Sequence, residues 1–383
     1  MLLYEYEARE ILARYGVPVE EAGVASTPEE AAELAREIPS PYMVKAQVLT
    51  TGRGKAGGVI PADTSEDVFR AAEKLLSSKI HGLSVRRVMV SHRVNVKREL
   101  YVSISIDRSS RAPIVLASTI GGVDVEEVAR SNPQAILKVP IDPLAGLKPY
   151  MVRLITNHLG LTGTLAGEAR KLLSSLYRVF EDYDCLLVEV NPLALTPEGL
   201  VAIDRRIVVD DSAAATNDRV RKLWEERLSE LGESEKEARK WGFSYVALDG
   251  DIGVVGNGAG LTMSTLDLVI SHGGRPACFL DIGGGASSER VKAAVSMLLR
   301  NPRVKVILLN ILAGITRCDE VAEGLIDALR EVGVEKPVVI RLSGTLEEEG
   351  RRLLREAGIP FFSSAEEAAK RSVEVAKSGR AGG

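Results

Sequence analysis

The stretch VALDGDIGVVGNGAG at residues 246–260 decides the fold of the C-terminal part of this chain, because its pattern returns four times: ACFLDIGGGASSER (277–290), KVILLNILAGITRCDE (305–320), VVIRLSGTLEEEG (338–350) and IPFFSS (359–364). The texture is an apolar strand, a turn and a helix, repeated. Near-continuous apolar strands alternating with helices predict a parallel sheet covered on both faces. The second domain, placed at 236–383, is therefore read as α/β. Ligands of such sheets bind beyond the carboxyl ends of the strands, where the turns GNGAG (256–260), GGGA (283–286) and AGIT (313–316) fall. The helix N-termini that follow expose free N–H groups and a partial positive charge, which suit carboxylates and phosphates. Tight turns in any parallel sheet also use glycine, so a structural role stays open for each.

Upstream lies the charge-dense run DRVRKLWEERLSELGESEKEARKWG (218–242), whose periodic apolar positions are Val220, Leu223, Trp224 and Leu228. The domain boundary is placed there, and the first domain at 1–228. Tyr4, Ala8, Ile11, Leu12 and Tyr15 share one face of a helix that Gly16 stops. A second helix is expected over 27–37, with Thr27 as N-cap, Pro28 at the first helical position and Glu30 completing a capping box. Strand signals at 42–48, 85–94, 99–106 and 112–118 mix with helical patterns at 66–79, 149–160 and 165–181. This half reads as α+β.

The chain has 383 residues, which at about 150 per domain fits two or three domains and excludes a single small module. Its net charge is 49 − 53 = −4, so no general basic field exists to collect nucleic acid or anionic lipid. The apolar run VKVILLNIL (304–312) is broken by Asn310 and is shorter than the roughly 18 residues of a membrane span. The N-terminus MLLYEYEARE holds three acids and no apolar run, which argues against a signal or transit peptide. The expectation is a soluble cytoplasmic protein. Cys185, Cys278 and Cys318 are odd in number and widely spaced, suggesting neither disulfides nor zinc. His81, His92, His158 and His272 assemble no Ser/His/Asp or HExxH pattern.

Two constellations in the first domain carry chemistry. Lys45 stands in YMVKAQV and GRGKAGG follows at 52–58; glycines admit backbone N–H groups close to oxygens while Lys45 and Arg53 supply charge, a combination that suits a polyphosphate. A mobile surface turn would look the same. The loop is not GxxxxGK[ST]. The second constellation, LLVEVNPLALTPEGLVAID (186–204), reads as a hairpin turning at Pro197 and Gly199. If Thr196 faces Gly199, Asn191 lies opposite Asp204, and Glu189 shares their face. These oxygens suit Mg²⁺ completed by phosphate and water. The alternative is a solvated hairpin face on which Glu189 pairs with Arg206, and Pro192 could shift the register.

YEAREILARYGVPV (6–19), GRGKAGGV (52–59), KRELYVSISIDRSSR (97–111), LLVEVNPL (186–193), YVALDGDIG (245–253), GNGAGLTMSTLD (256–267), FLDIGGGA (279–286) and GITRCD (314–319), in this order, resemble the β subunits of succinyl-CoA synthetase, the ADP- or GDP-forming succinate–CoA ligases. The resemblance runs nearly end to end. It implies an α+β ATP-grasp domain followed by an α/β flavodoxin-like CoA-ligase domain. It implies an acid–thiol ligase of the tricarboxylic acid cycle, using ATP or GTP with Mg²⁺ and active with an α subunit that carries the phosphohistidine and most of the CoA site. By the same resemblance Lys45, Gly52, Arg53, Gly54, Ser91, Val94 and Glu99 match nucleotide-binding positions, and Asn191 and Asp204 the metal ligands. Glu189 matches a glutamate beside the phosphohistidine, and Asn257, Gly314, Ile315 and Thr316 match the substrate site shared with the partner. Arg205-Arg206 after Asp204 and Leu312-Ala313 before Gly314 depart from the family pattern. A malate–CoA ligase subunit is the alternative within the class, and a non-catalytic nucleotide-binding regulatory subunit the alternative outside it.

Overall fold

In the computed structural model, which describes residues 1–230, 232–333 and 336–378, the hairpin around Pro197 and Gly199 forms in the expected register. Thr196 faces Gly199, Leu193 faces Ala202, and further down the strand Glu189 faces Arg206. The chain divides into two compact units, Met1–Glu226 and Arg227–Gly383. Residues 334–335 and 379–383 of the expected second domain lie outside the described residues.

Two larger antiparallel sheets build the first unit, beside the short pair Lys79–Ile80 and Leu83–Ser84. The larger has the order Gly199–Ala202, Cys185–Thr196, Arg98–Asp107, Ala112–Ser118, Ile136–Pro140, with Arg205–Val209 also pairing to Cys185–Thr196. Inward residues at period two, such as Val188 and Val190, meet helices Glu5–Arg14, Pro149–His158 and Gly163–Asp182. The last helix buries Ala169, Leu172, Leu173, Leu176 and Phe180, the i, i+3, i+4, i+7 stripe of an amphipathic helix. Each such leucine contributes roughly 1.5–3 kcal/mol of burial.

The smaller sheet has the order Ala22–Ala25, Val88–His92, Tyr42–Ala46, Val59–Ala62. Helices Pro28–Glu37 and Ser65–Leu76 close its core through Ala31, Ala35, Val68 and Ala72. Thr27 caps the first of these as expected, accepting from the Glu30 N–H. The reciprocal half of the capping box is displaced: the Glu30 carboxylate accepts from the Ser26 N–H at 2.7 Å, one residue upstream of the cap. Strands Ala22–Ala25, Val59–Ala62 and Ile136–Pro140 were not anticipated, being four or five residues long and lacking a sustained apolar alternation.

The second unit is one sheet of order Ser244–Ala247, Pro276–Asp281, Ile252–Gly256, Val306–Ala313, Val338–Gly344, Phe361–Phe362. The last five pair in parallel, with chain order 2-1-3-4-5, the flavodoxin-like arrangement. The edge strand Ser244–Ala247 is antiparallel to Pro276–Asp281, a correction to a wholly parallel reading of VALDGDIGVVGNGAG. The link from Ala247 to Ile252 is too short for the dozen or so residues of a parallel crossover. Gly250 turns the chain there, where a Cβ would lie 2.0 Å from the Arg275 carbonyl oxygen. No helix among the described residues is long and apolar enough to cross a membrane.

Candidate functional site

Lys45 leaves the end of strand Tyr42–Ala46 and Arg53 the glycine loop that follows, and both side chains turn inward. Lys45 Nζ donates to Glu5 Oε1 at 2.8 Å and to the Ile203 carbonyl at 2.9 Å, and lies 3.6 Å from Glu20 Oε1. Arg53 Nη2 donates to Glu5 Oε2 and, at 3.0 Å, to Asp204 Oδ1. Arg205 Nη2 reaches Glu20 Oε1 and Glu5 Oε1. The result is a buried cluster of two carboxylates and three cations, with Asp204 at its half-exposed edge. Burial alone would raise the Glu5 carboxyl, but Arg53, Lys45 and Arg205 outweigh it and hold the group down at about 2.

The glycine loop is closed by its own backbone, with Gly58 N–H on the Arg53 carbonyl and Ala46 N–H on the Gly58 carbonyl. Gly52 and Gly54 are exposed, and a Cβ on Gly54 would meet no atom within 4 Å. Ser91, by contrast, is buried and its hydroxyl donates to the Met43 carbonyl. Val94 follows that strand half-buried, and Glu99 is exposed on Arg98–Asp107.

Asn191 and Asp204 are joined as the register requires, Asn191 N–H donating to the Asp204 carbonyl at 2.9 Å. The Asn191 amide is oriented from a distant loop: Oδ1 accepts from Gly122 N–H at 2.7 Å, and Nδ2 donates to the Val123 carbonyl at 2.9 Å. Gly122 sits at φ +71, a conformation that disfavours other residues. Glu189 faces the same side. Its Oε2 accepts from the Tyr101 hydroxyl at 3.2 Å and its Oε1 lies 3.8 Å from Arg206, so the ion pair weighed as the alternative is present. Burial pushes the Glu189 carboxyl up, against the opposing pull of Arg206 and the Tyr101 hydroxyl. No group of three or more His, Cys, Asp or Glu that could hold a metal occurs among the described residues. Asn191 and Asp204 thus offer a partial set of hard oxygens, which fits Mg²⁺ completed by phosphate and water.

In the second unit the three glycine turns are tied together at the carboxyl ends of adjacent strands. Asn257 Nδ2 donates to the Leu312 carbonyl while its Oδ1 accepts from Leu312 N–H at 3.0 Å. Thr316 Oγ1 accepts from Gly285 N–H at 2.9 Å, and Asp281 Oδ1 from Gly258 and Gly283 N–H. The strand Val306–Ala313 ends immediately before Gly314, and the helix that follows begins at Cys318; Thr316 is buried and spent on bridging the turns. Ile315, between them, is 88% exposed.

Residues 2–195 match the ATP-grasp domain family and residues 255–375 the CoA-ligase family. The chain is 50% identical over 377 residues to the succinate–CoA ligase [ADP-forming] subunit beta of Ignicoccus hospitalis, covering 98% of this chain and 100% of that one. The protein of the same name from Pyrobaculum aerophilum is also 50% identical, over 381 residues, with 98% and 100% covered. The chain belongs to the succinate–CoA ligase β-subunit family.

An ATP citrate lyase from Methanothrix soehngenii, solved with citrate and coenzyme A, shares the fold of this family member at a TM-score of 0.72, with 19% identity over 97% of this chain and 99% of that one. Beside the residues legible from the family motifs, the structure brings in several that the motifs did not single out: Glu5, Glu20, Tyr101 and the Gly121-Gly122 pair. The one local signal among them was the double glycine after strand Ala112–Ser118. Of the histidines, His92 Nδ1 and His158 Nε2 each bond a main-chain carbonyl.

Proposed function

We propose that this chain is the nucleotide-binding β subunit of a succinate–CoA ligase, interconverting nucleoside triphosphate, succinate and CoA with diphosphate, phosphate and succinyl-CoA through a phosphohistidine on an α subunit. The observation that carries the reading is the convergence of Lys45, Arg53, Asp204, Asn191 and Glu189 around one hairpin of an ATP-grasp domain. Lys45 and Arg53 bind phosphate oxygens, with the exposed glycines Gly52 and Gly54 admitting the phosphates to the backbone. Ser91, Val94 and Glu99 line the nucleotide. Mg²⁺ held by Asn191 and Asp204 would neutralise charge on the phosphates. Glu189, half-screened by Tyr101 and Arg206, orients the partner's phosphohistidine.

In the second unit Asn257 fixes the turn Gly314-Ile315-Thr316, whose free N–H groups hold the anionic substrate or phosphate beyond the strand ends. The exposed Ile315 and Leu312 support an α-subunit surface at this turn. Succinate is preferred to malate on the names of the relatives. Acyl-CoA formation by the chain reconstituted with an α-type partner, with succinate and malate in parallel, tests the choice. Turnover with malate alone would replace the succinate reading. Turnover with neither acid, nucleotide binding being intact, would favour the regulatory subunit.

A further inference from the structure

Arg205 differs from its neighbour Asp204 in being wholly buried, its side chain 0% exposed against 48%. One nitrogen, Nη2, makes all its contacts: Glu20 Oε1, the Ile203 carbonyl, and Glu5 Oε1 at 3.5 Å. Its Nε and Nη1 are buried without a hydrogen-bond partner among the described residues, as is Glu20 Oε2. Unpaired buried donors are unfavourable, so a half-used guanidinium points to a second state in which it is used.

Glu5 supplies that state. Its carboxylate is shared by Lys45, Arg53 and Arg205, and the first two are the cations that the nucleotide-binding reading assigns to the phosphates. Drawing them to a polyphosphate strips Glu5 of both close partners, and an uncompensated buried carboxylate is strongly penalised. Arg205, already beside Oε1 with two idle nitrogens, is placed to close on it. The other charges nearby are Glu20, Asp204 on Arg53, and Arg9, which donates to the Glu20 carbonyl from helix Glu5–Arg14.

We propose that Arg205 is a positioning residue for nucleotide binding: it takes over the Glu5 carboxylate when Lys45 and Arg53 turn to the phosphates, so that the pocket exchanges partners without taking up a proton. This rests on the nucleotide-binding reading of Lys45 and Arg53. Without Arg205, Glu5 in the loaded pocket faces only the more distant Arg9 and binds a proton instead.

Calorimetric titration of the full-length protein with Mg·ADP and Mg·GDP, in buffers of different ionisation enthalpy between about pH 7 and pH 8.5, reads affinity and protons exchanged together. Arg205→Met is expected to weaken binding by about tenfold or more at the upper pH and to take up close to one proton beyond the unsubstituted protein. Its affinity then rises by up to about tenfold per pH unit of acidification. Arg205→Lys should recover most of the affinity and lose the extra proton, and the Glu5→Gln/Arg205→Met double variant should bind without it. Binding by Arg205→Met with no extra proton overturns the proposal. Failure of the unsubstituted protein to bind either nucleotide overturns the nucleotide reading instead. Should the methionine variant not fold, a crystal structure of the unsubstituted protein with Mg·ADP decides: Arg205 closed on Glu5 supports the role, and Lys45 still on Glu5 beside the phosphates contradicts it.

Discussion

Arg53 and Asp204, separated by 151 residues, meet at 3.0 Å where the glycine loop approaches the hairpin. The contact joins the cation assigned to the phosphates with the carboxylate assigned to the metal, so either ligand arriving must redistribute the other's partner. Asp204→Asn should weaken Mg·nucleotide binding by at least tenfold while changing stability by no more than about 1 kcal/mol, because the carboxylate is half-exposed and such pairs contribute little. Titration with and without Mg²⁺ beside thermal melting checks both halves. An unaltered Mg²⁺ dependence would remove Asp204 from the metal site.

Glu5 has the opposite balance. Its loss leaves Lys45, Arg53 and Arg205 facing one another in a buried site, so Glu5→Gln should cost about 3–5 kcal/mol, the range for breaking a buried pair. The pH dependence has a definite sign. Glu5 titrates near 2 in the folded chain against an ordinary value of 4.5, so its contribution is complete above 4.5 and fades as pH falls toward 2. Acid unfolding followed by circular dichroism should show a shallower slope in this window for Glu5→Gln than for the unsubstituted chain.

Glu189→Gln keeps shape and removes charge. Phosphorylation of the partner should slow on the order of 10²-fold, with nucleotide affinity within about twofold, the pattern of an interaction made in the transition state. Rapid-quench measurement of the two quantities separates this from a structural defect, which would lower both.

Gly314 has no atom within 4 Å of where a Cβ would stand, so a side chain there meets only what enters the site. Gly314→Val should leave stability within about 0.5 kcal/mol and nucleotide binding unchanged, yet abolish acyl-CoA formation by the complex. A fully active Gly314→Val complex would exclude this turn from the substrate site.

The hairpin and the parallel sheet were legible because both are local patterns: period two set Glu189 opposite Arg206 across a turn of two residues, and apolar runs ended at glycine turns. Pro192 lies in a cis peptide bond after Asn191, and the facing pairs on either side still keep one register. The ionic cluster was not legible, because Glu5 meets Lys45, Arg53 and Arg205 across 40, 48 and 200 residues, and no spacing rule connects them. For the same reason the clamp of Gly122 and Val123 on Asn191 appeared only in three dimensions. The turn AGIT reads in sequence as leading into a helix, which begins at Cys318; that the Thr316 hydroxyl has a tertiary partner in Gly285 N–H was not legible.

On the proposed function, this chain delivers a nucleotide's phosphoryl group to a histidine of another subunit. The direct measurement is transfer of labelled γ-phosphate from Mg·ATP or Mg·GTP to a purified α-type partner, with this chain present or absent. Acid-labile label is expected on the partner's histidine only when both subunits and Mg²⁺ are present, and none on this chain. Stable label on this chain alone, or acyl-CoA formation without the partner, would contradict it.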